Sequence, residues 1–216
     1  MLILCNGMPR SASTWAYNVA MALLRGTGQR VHGGYGDRLV EFLKSAPPAD
    51  HVVVKSPFLT PVGRTLARTG AARVIYTWRD PADAIGSAMA VFDKPFDELL
   101  TVIDASLELR AFHRSTGNAV ILAYDRITTD PRGAIQEIAA YLALAVTAGT
   151  LDCIETATSL QHMREAAQGL HALDPATLLF PKHIRDGRAG SGRTVLSSAQ
   201  LAQVEEMVLR HRNPVQ

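Results

Sequence analysis

Apolar residues fall along the chain in short unbroken runs, separated by turns and by longer stretches with helical spacing. Leu2-Ile3-Leu4-Cys5, His51-Val52-Val53-Val54-Lys55, Arg73-Val74-Ile75-Tyr76-Thr77-Trp78 and Ala119 to Ala123 read as strands. Continuous β-branched and aliphatic runs of this kind belong to a parallel sheet buried on both faces. Between the first two, Trp15, Val19, Ala22 and Leu23 share one helical face. Further helices are predicted over 37–44, 60–69, 92–114 with a break at Pro95, 130–144, 149–170 as one or two helices, and 198–211. The first helix is expected to end near Arg25-Gly26-Thr27-Gly28 with glycine in a left-handed cap. Gln29 to Val31 reads as a short strand, His32-Gly33-Gly34-Tyr35-Gly36 as a flexible loop, and residues 178–192 as irregular chain. Ser197 and Gln200 form a capping box for the last helix. The alternation of strand and helix predicts an α/β fold.

A length of 216 residues suits one domain, 1–216, and 47% hydrophobic residues supply an ample core. The net charge is +2, which gives no broad electrostatic basis for binding nucleic acid or membranes, so any anion site must be local. Cys5 and Cys153 sit far apart in apolar stretches and are expected to be buried thiols in a reducing compartment, without metal-ligand spacing. Met1 runs straight into a strand with no basic leader, and no apolar run reaches membrane-spanning length. A cytoplasmic protein is expected. Oligomeric state is left open.

Three places carry chemistry. After the first strand, Asn6-Gly7-Met8-Pro9 breaks the chain, and Arg10-Ser11-Ala12-Ser13-Thr14 leads into the first helix. Small residues at a helix N-terminus let an oxyanion approach unpaired backbone N–H groups, and Arg10 adds a fixed charge with a fork of donors. The spacing is close to the phosphate loop G-x-x-x-x-G-K-[ST], but Ala12 replaces its second glycine and Ser13 its lysine. Lys55 ends its strand and faces the crevice where open α/β sheets bind ligands. Arg79 ends the next strand, Asp80 and Pro81 start a helix as N-cap and first residue, and Ser87 follows two turns on, so Arg79 and Ser87 could meet one anion. Arg79 could equally pair with Asp80 or Asp83, and Ser87 could be a small packing residue. Lys182, His183, Arg185, Arg188 and Arg193 lie among glycines in the irregular segment, which on its own reads as a solvated basic loop.

Taken in order, these stretches resemble the sulfotransferases that use 3′-phosphoadenosine 5′-phosphosulfate (PAPS). Pro9, Arg10, Ser11, Ser13, Thr14 and Trp15 match the family's 5′-phosphosulfate loop, with Ala12 at its glycine. Arg79 and Ser87 keep the separation of its 3′-phosphate motif. Tyr124 matches a tyrosine that lies against adenine, with Asp125 in place of glutamate. Arg185, Gly187, Gly190 and Arg193 match a C-terminal loop over the nucleotide, with Asp186 in place of lysine and Gly192 in place of tryptophan. The resemblance implies a three-layer α/β sandwich around a parallel sheet, like the P-loop nucleoside triphosphate hydrolases. It implies sulfuryl transfer from PAPS, leaving 3′-phosphoadenosine 5′-phosphate (PAP), to a small-molecule or carbohydrate acceptor, with no metal. Donor binding falls to Arg10, Ser11, Ala12, Ser13, Thr14, Trp15, Arg79, Ser87, Tyr124, Arg185, Gly187 and Arg193, and transition-state charge to Arg10 and Lys55.

The family's usual base positions hold Pro57 and Val54 here. The region after the first helix offers His32 and Asp37 instead, and His32 suits general-base work by its ordinary pKa. The acceptor is expected against residues 32–38, the segment after Pro57, and Phe58, Phe92, Phe96, Met163 and Phe180. A kinase on a P-loop fold and a non-catalytic nucleotide binder are the competing readings. The first lacks its Walker lysine; the second is kept open by the missing His and Glu.

Overall fold

A computed structural model describes residues 1–181, 184, 190 and 192–212. In chain order the elements are β1 (Leu2–Gly7), α1 (Ser13–Arg25), β2 (Val31–Tyr35), α2 (Leu39–Ser45), β3 (His51–Lys55), α3 (Pro61–Thr69), β4 (Ala72–Trp78), α4 (Pro81–Phe92), α5 (Phe96–Thr116), β5 (Ala119–Ala123), α6 (Tyr124–Thr129), α7 (Pro131–Tyr141), α8 (Ala148–Ala157), α9 (Leu160–Gln168) and α10 (Ser198–Arg212). The strands form one parallel sheet in the order β2-β3-β1-β4-β5.

Alternation along the strands divides the core in two. Ile3, Cys5, Val53, Ile75, Val120 and Leu122 pack against α1, α7 and α8. Leu4, Val54, Val74 and Tyr76 face the other way, onto α2, α3 and α5. This is the expected three-layer sandwich, and the unbroken apolar runs follow from burial on both faces. A third cluster joins α4, α5 and α10 and encloses Met8, just after β1. Each fully buried aliphatic side chain contributes about 1.5–3 kcal/mol.

Local signals account for most element starts. Asp80 accepts from Asp83 N–H, Thr60 from Gly63 N–H, and Asp130 from Gly133 N–H, each before a proline at the first helical position. Ser197 and Gln200 make the reciprocal capping box.

Four expectations need correction. Residues 32–35 are not a loop but the edge strand β2, and its glycines are there for space: a Cβ on Gly33 would lie 2.5 Å from Met21 Sδ and 2.7 Å from Tyr17 Oη. Tyr124 opens the short helix α6 rather than ending a strand. Gly26 is right-handed, and the positive φ falls on Gly28. Cys153 is exposed, because it lies on the outer side of α8, whose buried residues are Leu151 and Ile154. Among the described residues no helix is long and apolar enough to cross a membrane.

His113 on α5 is 1% exposed, between Tyr76 (5.2 Å) and Phe112 (5.3 Å), and among the described residues neither ring nitrogen has a hydrogen-bond partner. Burial, and then the charge of Arg64, push its pKa down to about 4 from an ordinary 6.5. The unfolded chain therefore takes up a proton that the folded chain refuses in this window. The resulting stability is fully present above about pH 6.5 and is lost as pH falls toward about 4, a change on the order of 3 kcal/mol. Denaturant titrations of His113→Phe between these limits should show a flatter pH dependence than wild type; identical slopes would refute the assignment.

Candidate active site

The chain leaves β1 through Gly7, where a Cβ would lie 2.3 Å from Thr77 Oγ1 and 2.9 Å from Ser13 Cβ. Met8 N–H donates to the Thr77 carbonyl on β4 (3.0 Å). Ser11 Oγ is 2.6 Å from the Met8 carbonyl oxygen, 3.0 Å from that of Thr77 and 2.7 Å from Thr77 Oγ1. Its proton serves the carbonyls, and the Thr77 hydroxyl donates in return. Pinned in this way, the backbone turns left-handed at Arg10 (φ 63°) and at Ala12 (φ 70°). Ala12 is the N-cap of α1 and supplies no side-chain cap. The first-turn amides of Ser13, Thr14 and Trp15 thus have no acceptor from the cap position, and the positive end of the helix dipole is aimed at the loop. This is a cradle for an oxyanion.

Cations converge on it. Arg10 Nε donates to Ser87 Oγ on α4 (3.2 Å), and its guanidinium lies 5.7 Å from the Phe92 ring. Lys55 pairs in register with Cys5 at the end of β3, and its Nζ is 5.5 Å from the Tyr35 ring. Burial, with a smaller push from Arg10, lowers the Lys55 pKa; Cys5 and Asp37 act the other way. The Cys5 thiol is pushed up to about 12 by burial, against the pull of Lys55. Arg79, 6% exposed, lies with Cζ 4.1 Å from the Tyr124 ring centre and Nη2 3.6 Å from Asp83 Oδ2. Burial first, then the neighbouring Asp37 carboxylate, raises the Tyr35 pKa to about 12.

The structure brings Arg10, Ala12, Ser13, Thr14, Lys55, Arg79, Ser87 and Tyr124 to the carboxyl ends of β1, β3, β4 and β5. Ser11 faces inward and holds the loop, and the Trp15 ring is 7% exposed in the core beneath α1. His32 is not brought in. It lies opposite Val52 near the amino end of the edge strand, stacks on Phe42 at 5.4 Å, and is three residues, about 10 Å, short of the strand's carboxyl end. Asp37, just past that end, is the group near Lys55. Arg193 Nε is 3.5 Å from Asp80. Arg185 and Gly187 lie outside the described residues. Phe96 and Met163 are core residues, 8% and 6% exposed, Phe96 in the cluster of α4, α5 and α10 and Met163 in the cluster that includes α1, α7 and α8; Phe58 and Phe92 are open, and Phe92 pairs with Phe180 at 5.9 Å. Thr77 was not singled out in sequence; Asp83 was named there only as a possible partner of Arg79, and that pair is formed. Thr77 is one more small residue in a strand, but Asp83 stands one turn after Arg79, a spacing that marks an ion pair.

A family model for the sulfotransferase domain matches residues 95–208. Among solved structures, a mouse sulfotransferase, SULT7A1, complexed with PAP, aligns over 99% of this chain and 85% of its own, at 17% identity and TM-score 0.76. Retinol dehydratase in complex with androsterone and inactive cofactor PAP aligns over 100% and 81%, at 13% identity and TM-score 0.75. No curated protein matches the sequence.

An alanine in left-handed backbone costs about 1–2 kcal/mol, part of which glycine returns as unfolded-state entropy. Ala12→Gly should therefore stabilise the protein by about 0.5–1 kcal/mol in denaturant titration. A loss of stability would mean that Ala12 is not left-handed.

Proposed function

The chain belongs to the sulfotransferase domain family, and from that premise we propose that it moves a sulfuryl group from PAPS to a hydroxyl or amine of a small-molecule or glycan acceptor. The observation that carries this reading is the left-handed loop before α1, whose uncapped first turn lies at the carboxyl end of β1 with Arg10 and Lys55 around it. The residues fit the donor at both ends. Arg10, Ser13, Thr14 and the first-turn amides would hold the 5′-phosphosulfate. Arg79 and Ser87 would hold the 3′-phosphate, and the flat Tyr124 ring under Arg79 would meet the base.

The donor supplies a sulfuryl group on a phosphosulfate anhydride. Transfer forms an acceptor O–S bond, breaks the S–O bond to the 5′-phosphate, and releases the acceptor proton. Charge then builds on the sulfuryl oxygens and the departing phosphate. Fixed donors already in place stabilise that charge without reorganisation, and Arg10, Lys55 and the loop amides are such donors. In this proposal Asp37 takes the acceptor proton, since it stands beside Lys55 where His32 does not. Phe58, Phe92 and Phe180 offer the acceptor an apolar wall. Androsterone and retinol, found in the retinol dehydratase complexes, are molecules such a wall would suit.

Calorimetric titration with PAP, beside ATP with magnesium, tests the site. Wild type should prefer PAP. Arg10→Ala and Arg79→Ala should each weaken PAP by about tenfold or more, the loss of one charge-assisted contact. Preference for ATP, or near-normal PAP affinity in both variants, would overturn the assignment. With an acceptor in hand, Asp37→Asn should lower kcat by about 10²–10⁴ and His32→Ala should leave it within about twofold. The reverse would restore His32 as base. Tight PAP binding without turnover on any acceptor would mark a nucleotide-binding relative instead.

A further inference from the structure

The carboxylate of Asp83 joins two parts of the chain 110 residues apart. It lies one turn into α4 and is 3% exposed. Oδ1 accepts from Gly192 N–H (3.0 Å) and Arg193 N–H (3.2 Å). Oδ2 accepts from Gly190 N–H (2.5 Å) and lies 3.6 Å from Arg79 Nη2. Both oxygens are thus engaged by donors.

The contact beside it is backbone on backbone. A Cβ on Gly192 would lie 2.4 Å from Asp83 Cα and 2.4 Å from its carbonyl oxygen. A Cβ on Gly86 would lie 2.2 Å from the Gly192 carbonyl oxygen. Neither position has room for a side chain. Gly86 immediately precedes Ser87, which Arg10 contacts, and Asp83 is one turn from Arg79. The docked segment therefore sits on the first two turns of α4, between Arg79 just before the helix and Ser87 on it.

We propose that Asp83 is a positioning residue for recognition of the donor's 3′-phosphate: it docks residues 190, 192 and 193 on α4 and fixes the guanidinium of Arg79 over Tyr124. The inference rests on the donor-site reading above. Its sign separates it from simple electrostatics. A carboxylate merely close to a phosphate repels it, so its removal would raise affinity. A carboxylate that aims Arg79 and holds the docked segment has the opposite effect.

The test compares PAP with adenosine 5′-monophosphate, which lacks the 3′-phosphate, on wild type, Asp83→Ala, Asp83→Asn and Gly192→Ala, with a thermal melt of each. Asp83→Ala should lose about tenfold or more in PAP affinity and stay within about threefold for the monophosphate, collapsing the ratio between them. Gly192→Ala should reduce the ratio in the same direction from the other side of the contact. Asp83→Asn should fall between, since its carbonyl oxygen still accepts while its NH₂ opposes the remaining donors; it keeps the test available where Asp83→Ala fails to fold. An unchanged ratio, an equal loss for both nucleotides, or a gain in PAP affinity would overturn the inference and leave the donor site standing. A wild type that does not distinguish the two nucleotides would overturn both.

Discussion

Ser11 Oγ is enclosed by the Met8 carbonyl and by both oxygens of Thr77. That contact ties the loop after β1 to the neighbouring strand β4. Two left-handed residues without glycine, Arg10 and Ala12, cost about 1–2 kcal/mol each and persist only where surrounding contacts over-determine them. The Ser11–Thr77 network does so from one side. Met8, fully buried against α4 and α5, does so from the other. Gly7 permits the close approach that both require. The strained turn in turn sets where α1 begins and leaves its first amides without a cap. A hydroxyl with no outward role is thus what shapes the surface offered to an anion.

The charges around that surface are oriented by their neighbours. Arg10 rests against Ser87 and Phe92, Lys55 against Tyr35, and Arg79 against Tyr124. An aromatic face orients a guanidinium or an ammonium at a modest gain and leaves its N–H groups directed elsewhere. Asp37 lies near Lys55, and Asp83 pairs with Arg79. A chain with net charge +2 can therefore concentrate positive potential at one edge of its sheet while its outer face carries ordinary salt bridges such as Arg30–Asp50 and Arg132–Asp152.

Much of this was readable in the sequence, for local reasons. The runs at 51–55 and 119–123 are strands because nothing else buries five apolar-rich residues between helices, and Asp80-Pro81 and Ser197–Gln200 declare helix starts by their own hydrogen bonds. The loop at 7–14 was visible as a break with small residues, and its departure at Ala12 is met by left-handed backbone rather than by a change of shape. What was not readable depends on distant partners. Cys153 has an apolar neighbourhood in sequence but faces outward. Phe96 and Met163 look like pocket residues but are buried in two different core clusters. Asp83 gains its meaning from residues 190, 192 and 193, and no local pattern announces that contact.

The displacement of His32 shows how one misplaced strand end changes a mechanism. Gly33 and Gly34 suggest a loop because glycine usually breaks a strand. Here Tyr17, Met21 and Phe42 crowd both faces of β2, and glycine is what lets the edge strand pair with β3 at all. Once the strand runs to Tyr35, His32 is drawn back beside Val52, and the next residues past the carboxyl end are Gly36 and Asp37. Gly36 N–H donates to the Lys55 carbonyl at 3.0 Å, so Asp37 is carried directly to the end of β3. His32 lies back along the strand, away from the crevice at the carboxyl ends. The proposal above therefore gives the proton to Asp37, carried past the strand ends near Lys55, because geometry precedes pKa in choosing a base.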